Sequence, residues 1–216
     1  MSKGRLIVID GLDGCGKTTQ FELLKKVLPE DKYTFISFPN YNSETGKLIS
    51  KYLRGELDLS LSQIDKLYAA DRFVSYLSEW KRDYEAGKTI IAARYTTSMQ
   101  IYTAAKYPVS KRYMVINDIA NYEYLMLGLP IPYLMIYLKV DKDTFLKNLE
   151  NRHSETGDTS DIHEADIDYM QKCYDTANYL SLLQPAHPWH TIECCDSAGE
   201  MRTVEDIHKE ILELVR

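Results

Sequence analysis

Residues 11–19 read Gly11-Leu12-Asp13-Gly14-Cys15-Gly16-Lys17-Thr18-Thr19, a complete G-x-x-x-x-G-K-[ST] pattern. Glycines at those places let backbone N–H groups turn inward around phosphate oxygens. Lys17 reaches the outer phosphates, and the Thr18 hydroxyl is placed to hold Mg²⁺. The motif needs a strand before it and a helix after it. The apolar run Leu6-Ile7-Val8-Ile9 and the helix-period stretch Thr18–Leu28 supply both. The competing reading is a glycine-rich strand-to-helix turn with no ligand. Two fixed glycines followed by Lys-Thr in this context favour a site for a nucleoside triphosphate.

Such a loop acts only if other elements bring a second reactant to it. Apolar runs predict strands at Arg5–Ile9, Tyr33–Phe38, Thr89–Ala93, Tyr133–Lys139 and His190–Glu193. Helical periodicity predicts helices over Thr18–Leu28, Thr45–Arg54, Ser62–Ala86, Thr97–Lys106, Asn117–Gly128, Lys142–Arg152, Glu164–Leu183 and Thr203–Arg216. Strands alternating with helices imply an α/β fold, a parallel sheet of about five strands covered by helices on both faces in three layers. Ligands of such sheets lie beyond the carboxyl ends of the strands. The glycine-rich loop, Phe38-Pro39 and Ala93-Arg94 all fall at such ends, so they are expected to share one cleft. No repeat or linker divides the chain, which reads as one domain over residues 1–216. The polar stretch Arg152–His163 lies between two helices and reads as a short flap, about residues 152–164.

Composition narrows the setting. The 216 residues hold 26 Lys plus Arg against 32 Asp plus Glu, a formal net charge of −6. That excess of acid argues against general nucleic-acid binding, which needs a basic footprint. No segment approaches the roughly 20 apolar residues that cross a bilayer, and no signal peptide is visible. Four cysteines do not make a disulfide framework. Adjacent Cys194 and Cys195 would bridge only with strain. Cys15 reads as a small filler of the loop, with oxidation sensitivity as the alternative. These features imply a cytoplasmic location.

Further motifs follow in order: Phe38-Pro39-Asn40-Tyr41, Thr45-Gly46-Lys47, Leu53-Arg54-Gly55, Tyr68-Ala69-Ala70-Asp71-Arg72, Ala93-Arg94-Tyr95 and Tyr102-Thr103-Ala104-Ala105-Lys106. With G-L-D-G-x-G-K-T-T-Q at 11–20, this series resembles the thymidylate kinases, most densely between residues 5 and 106. The resemblance implies the P-loop NTPase fold, with ATP and Mg²⁺ as phosphoryl donor and cofactor and dTMP as acceptor. Lys17 and the loop amides would hold the donor. Arg94, at a strand end, would meet the acceptor phosphate with its bidentate fork. A structural ion pair with an acidic neighbour is the alternative for that arginine. Tyr68 and Arg72, four apart on one helix, share a face. By resemblance the ring stacks on thymine and the guanidinium bonds the base. Otherwise Tyr68 joins a core stripe with Ile64 and Leu67, and Arg72 is a solvated charge. The resemblance further places Asp13 near the acceptor's 3′-hydroxyl and the transferring phosphate. It places Tyr41 at the acceptor phosphate, Phe38 among the dTMP-binding residues, and Tyr102 against C2′, where bulk disfavours a ribose. It also implies a homodimer.

Three departures qualify the resemblance. Relatives usually read D-R-Y where this chain reads Ala93-Arg94-Tyr95, so the Mg²⁺-associated carboxylate is missing. Asp10 and Glu164 are the candidate substitutes. The loop carries Gly14 and Cys15 where one subset of relatives has an arginine. That points to arginines in the flap, yet the flap supplies only Arg152, with His153 beside it. Arg152 is thus a candidate catalytic cation, or a helix C-terminal charge on last-turn carbonyls. Met99 stands where some relatives carry a polar base contact, and Gln100 or Ser98 would compensate. The leading expectation is transfer of the ATP γ-phosphoryl group to dTMP, giving dTDP. The alternatives are a kinase of another pyrimidine (deoxy)nucleotide or deoxynucleoside, and a weakly catalytic nucleotide-binding switch.

Overall fold

The central strand β1 (Leu6–Gly11) is buried along its whole length. That is the signature of a parallel strand covered on both faces, and its unbroken apolar run dictates it. The computed structural model describes residues 3–148, 166–183 and 188–216. Five strands, β1, β2 (Tyr33–Ser37), β3 (Thr89–Ala93), β4 (Leu134–Lys139) and β5 (Trp189–Glu193), pair in the order β2-β3-β1-β4-β5. Every pairing is parallel. Residues alternate between two cores across the sheet. Leu6, Val8, Ile90 and Ala92 join Tyr76, Trp80 and Tyr95 on one face, while Ile7, Ile9 and Ile91 join Phe21 and Leu24 on the other. Each fully buried Ile or Leu stabilises the fold by about 1.5–3 kcal/mol.

The chain leaves β1 toward β2 on one side and leaves β3 toward β4 on the other. Between the carboxyl ends of β1 and β3, connections diverge and open a crevice. The helices framing it are α1 (Lys17–Val27), α2 (Glu44–Leu53), α3 (Leu61–Ser75) and α5 (Thr96–Ala104). Past α3, a π-helical turn, Tyr76–Trp80, leads into α4 (Lys81–Glu85), so helical structure runs from 61 to 85 almost as the periodicity predicts. The expectation of a helix over Asn117–Gly128 needs correction. α6 begins at Val109 and runs to Ala120, followed by a π-helical turn over Asn121–Met126. Its first turns escape periodicity because Val109, Tyr113 and Met114 are apolar yet exposed, so no single face stands out. Residues 142–148 form the described part of α7; α8 (Ile167–Leu182) and α9 (Val204–Val215) complete the set. The expected flap and its Arg152 and Glu164 lie outside the described residues.

Local chemistry sets the helix starts. Ser43 caps α2 by accepting from the Gly46 amide at 2.9 Å. Gly46 is required there because a Cβ would fall 1.8 Å from the Asn40 carbonyl oxygen. α1 begins differently. Its cap residue, Gly16, has φ 89° and offers no side chain, and the first turn holds no acid. Its first amides are therefore left for an anion to satisfy.

Candidate active site

The glycine-rich loop wraps its own lysine. Lys17 Nζ donates to the carbonyls of Gly11 and Leu12, each at 2.7 Å, and lies 3.7 Å from Cys15 Sγ. Thr18 and Thr19 are exposed at the mouth of the loop. A cleft of about 1400 Å³ opens there, lined by Asp13, Gly14, Gly16, Lys17, Thr18 and Ala93 among others, with Asn148 of α7 beside Gly14.

A second cleft, of about 800 Å³, lies between α3 and α5. Tyr68, Arg72, Met99 and Tyr102 line it. Asp13, Phe38, Pro39, Tyr41 and Arg94 line both cavities. Two ligands seated in the two clefts would therefore meet at those five residues.

Arg94 governs that junction. Its amide donates to the Ile9 carbonyl at 3.0 Å, tying the end of β3 to β1. Its φ of 63° lies in the left-handed region, at a cost of about 1 kcal/mol or more for a non-glycine residue. The guanidinium pairs with Asp13 through Nη2 and lies 5.9 Å from the centroid of the Tyr102 ring. The Tyr102 hydroxyl donates to the other Asp13 oxygen at 2.7 Å, and Lys17 Nζ stands 3.9 Å away. Burial alone would raise the Asp13 pKa. The charges of Arg94 and Lys17 and the two hydrogen bonds outweigh it and hold the carboxyl well below the usual range. Asp13 is therefore a fixed anion that holds the Arg94 guanidinium.

Asp10 lies just behind. Ser98 Oγ is 2.8 Å from both its oxygens, and the Gly11 amide donates to Oδ1 at 2.9 Å. Burial pushes its carboxyl up, only partly offset by Arg94 and Lys17. Among the described residues no three His, Cys, Asp or Glu side chains gather as a metal cluster. Thr18 and Asp10 nonetheless suit Mg²⁺, which needs one or two protein oxygens when nucleotide phosphates and water fill its remaining positions.

At the other end of the second cleft Arg72 is not a solvated charge. It is 3 % exposed and bound to Glu123 of the π-helical turn, with Nε to Oε2 at 2.7 Å and Nη2 to Oε1 at 2.5 Å. The neighbouring Asp71 is equally buried and organises the F-P-x-Y segment. It accepts from the Asn40 amide at 2.8 Å, from Ser43 at 2.8 Å and from Thr45 at 2.6 Å. Tyr68 packs beside Ile64 while also lining the cleft, so the two readings of that residue coincide.

Asp65 and Tyr169 escaped the sequence reading, and Thr103 and Lys106 stood in it only within a motif, without a role. Asp65 and Thr103 face each other across the cleft at 2.8 Å, and burial raises the Asp65 carboxyl. Tyr169 of α8 donates to the Tyr102 carbonyl at 2.6 Å, and Lys106 lies over its ring at 5.2 Å. None carries a local signal. Glu123 does carry one, a charge four residues past Ile119 on an otherwise apolar stripe.

A parallel sheet with its phosphate loop after β1, and a second cleft meeting that loop at the end of β3, defines a nucleoside monophosphate kinase of the P-loop fold. The family model for thymidylate kinase matches residues 9–206. A thymidylate kinase of Plasmodium falciparum (isolate 3D7) is 29% identical over 217 residues, covering 99% of this chain and 90% of the relative. Two solved thymidylate kinases share the fold. That of Candida albicans has a TM-score of 0.72 at 24% identity, covering 100% of this chain and 92% of the other. That of Ehrlichia chaffeensis has a TM-score of 0.69 at 15% identity, with both chains covered in full. The chain belongs to the thymidylate kinase family. Its reaction is the ATP-dependent phosphorylation of dTMP to dTDP.

Proposed function

We propose that ATP occupies the loop cleft, that dTMP occupies the cleft between α3 and α5, and that the phosphoryl group crosses at Asp13 and Arg94. The observation carrying this assignment is the sharing of Asp13, Phe38, Pro39, Tyr41 and Arg94 by both cavities. A phosphoryl transition state spreads negative charge over its oxygens and needs fixed cations rather than covalent help. Lys17 exchanges the Gly11 and Leu12 carbonyls for donor phosphate oxygens. Arg94 turns its fork from Asp13 to the acceptor phosphate, and Tyr102 and Lys17 remain to hold Asp13 in place. Gly11 to Gly16, with Thr18 and Thr19, form the rest of the donor site. Tyr68 stacks on the base, Arg72 bonds it, and Tyr102 bars a 2′-hydroxyl. A panel of monophosphates tests this reading. dTMP should be the best acceptor, dUMP weaker, dCMP and dGMP poor, and ribo-TMP markedly worse than dTMP. Faster turnover of dCMP or dGMP would sink the base assignment and leave the kinase class standing.

The Thr18 hydroxyl, with Asp10 behind it, would hold Mg²⁺, which supplies charge neutralisation between the outer phosphates. Ala93 lines the loop cleft at the end of β3, where it pairs with Ile9, the residue before Asp10, in the β1–β3 register. Because a buried carboxylate already stands there, Ala93→Asp should weaken ATP binding about tenfold through repulsion of the phosphates. Titration of ATP with and without Mg²⁺ checks this. Higher turnover with a lower Mg²⁺ requirement would show instead that position 93 is short of an acid.

Two copies of the chain are proposed to pair through the flanking helices. Val74 of α3, Leu77 of the π-helical turn after it, and Val109, Tyr113 and Met114 of α6 expose apolar side chains. Sedimentation as a 25.0 kDa particle at all micromolar concentrations would refute pairing. Four free, buried cysteines accord with a cytoplasmic setting. No helix among the described residues is long and apolar enough to cross a membrane.

A further inference from the structure

The buried stripe of α6 runs through Val115, Ile116 and Ile119 and continues, four residues on, to Glu123. The π-helical turn keeps that carboxylate on the inward side, 0 % exposed. Packing alone would place an aliphatic residue there, since sealing a carboxylate from water is unfavourable unless charged hydrogen bonds meet it. Glu123 has three such donors. Oε2 accepts from Arg72 Nε at 2.7 Å and from Thr96 Oγ1 at 2.8 Å, and Oε1 accepts from Arg72 Nη2 at 2.5 Å. The same Nη2 lies 2.8 Å from Met99 Sδ.

Counting donors on Arg72 shows what this leaves. A guanidinium carries five N–H groups in a rigid plane. The Nε–Nη2 edge is committed to Glu123 and Met99. Nη1 has no protein partner among the described residues. It is not among the sealed, partnerless side-chain atoms, which are those of Trp80, Thr97, Tyr124 and His208. Arg72 lines the acceptor cleft with Tyr68 and Met99.

We propose that Glu123 is a positioning residue for base selection: it clamps the guanidinium of Arg72 so that only the Nη1 amino group meets the acceptor base, as a fixed donor. The proposal rests on the reading of Arg72 as the base contact. A fixed donor donates to the O4 carbonyl of thymine but faces the 4-amino group of cytosine donor to donor. A guanidinium free to swing would tolerate both, because it could turn away or admit water between the groups. Thr96 holds the clamp in turn, through its hydrogen bond to Oε2.

Steady-state kinetics and calorimetric binding of dTMP and dCMP to wild type, Glu123→Gln and Thr96→Val test the proposal. Wild type should favour dTMP. Glu123→Gln should raise the KM and Kd for dTMP with a smaller change in kcat, and should shrink the dTMP-to-dCMP ratio of kcat/KM about tenfold or more. Thr96→Val should move the ratio the same way by a smaller factor, and it carries the test if Glu123→Gln does not fold. Glu123→Asp, if the shorter acid reaches Arg72, should recover part of the ratio. Equal losses for dTMP and dCMP, or an unchanged ratio in the folded variants, would overturn the clamp. A wild type that does not favour dTMP would overturn the base reading itself, before the variants are compared.

Discussion

Replacing Arg94 with alanine is expected to lower kcat for dTMP by about 10³-fold or more, the scale of an arginine that meets a transferring phosphoryl group. The fold should survive. The Asp13–Arg94 pair is partly open to solvent, with 15% and 25% of the two side chains exposed, so its loss should cost only about 1 kcal/mol of stability. The left-handed φ of residue 94 is no worse for alanine than for arginine. Lysine at 94 should recover at most about tenfold, because it keeps the charge but not the bidentate fork. The pH dependence follows from the lowered Asp13 pKa. A carboxyl held low in the folded state stabilises above its unfolded pKa of about 3.9, and that stability is lost as pH falls through the folded value. Without Arg94 the folded value rises, so the variant should begin to lose stability at a higher pH on acidification. Kinetics alongside acid and thermal melts check both parts. A kcat within tenfold of wild type would remove Arg94 from the transfer step.

The second large effect falls on stability. Arg72→Met should destabilise the protein by about 3–5 kcal/mol, because it leaves Glu123 fully buried with only the Thr96 hydroxyl. Arg72→Met/Glu123→Gln removes both charges and should recover most of the loss, to within about 1.5 kcal/mol of wild type. Both proteins should bind dTMP about tenfold or more weakly, for want of one charge-assisted hydrogen bond of about 1.5–3 kcal/mol. Denaturant melts of wild type and the two variants give the comparison. Equal stability of the single and double variants would show that Glu123 bears no uncompensated charge.

What the sequence determined by itself is what local chemistry dictates. The unbroken apolar run of β1 announces a strand covered on both faces. The glycines around Lys17 announce a loop whose amides turn inward, and the four-residue step from Tyr68 to Arg72 announces a shared helix face. Strand ends at Phe38 and Ala93 were legible for the same reason, and the open sheet brings them together beside the loop. The start of α6 was not legible, because its apolar residues Val109, Tyr113 and Met114 point outward. Only the tertiary structure decided which charges meet. Arg94 and Asp13 are 81 residues apart, Arg72 and Glu123 51, and Tyr169 reaches the Tyr102 carbonyl across 67. No periodicity encodes such pairings, because a side chain's partner across a parallel sheet depends on strand order and crossover direction. Asp71 shows the same divide within two adjacent residues. Its neighbour Arg72 was visible through helical spacing, while its own grip on Asn40, Ser43 and Thr45 exists only once α2 is folded against α3.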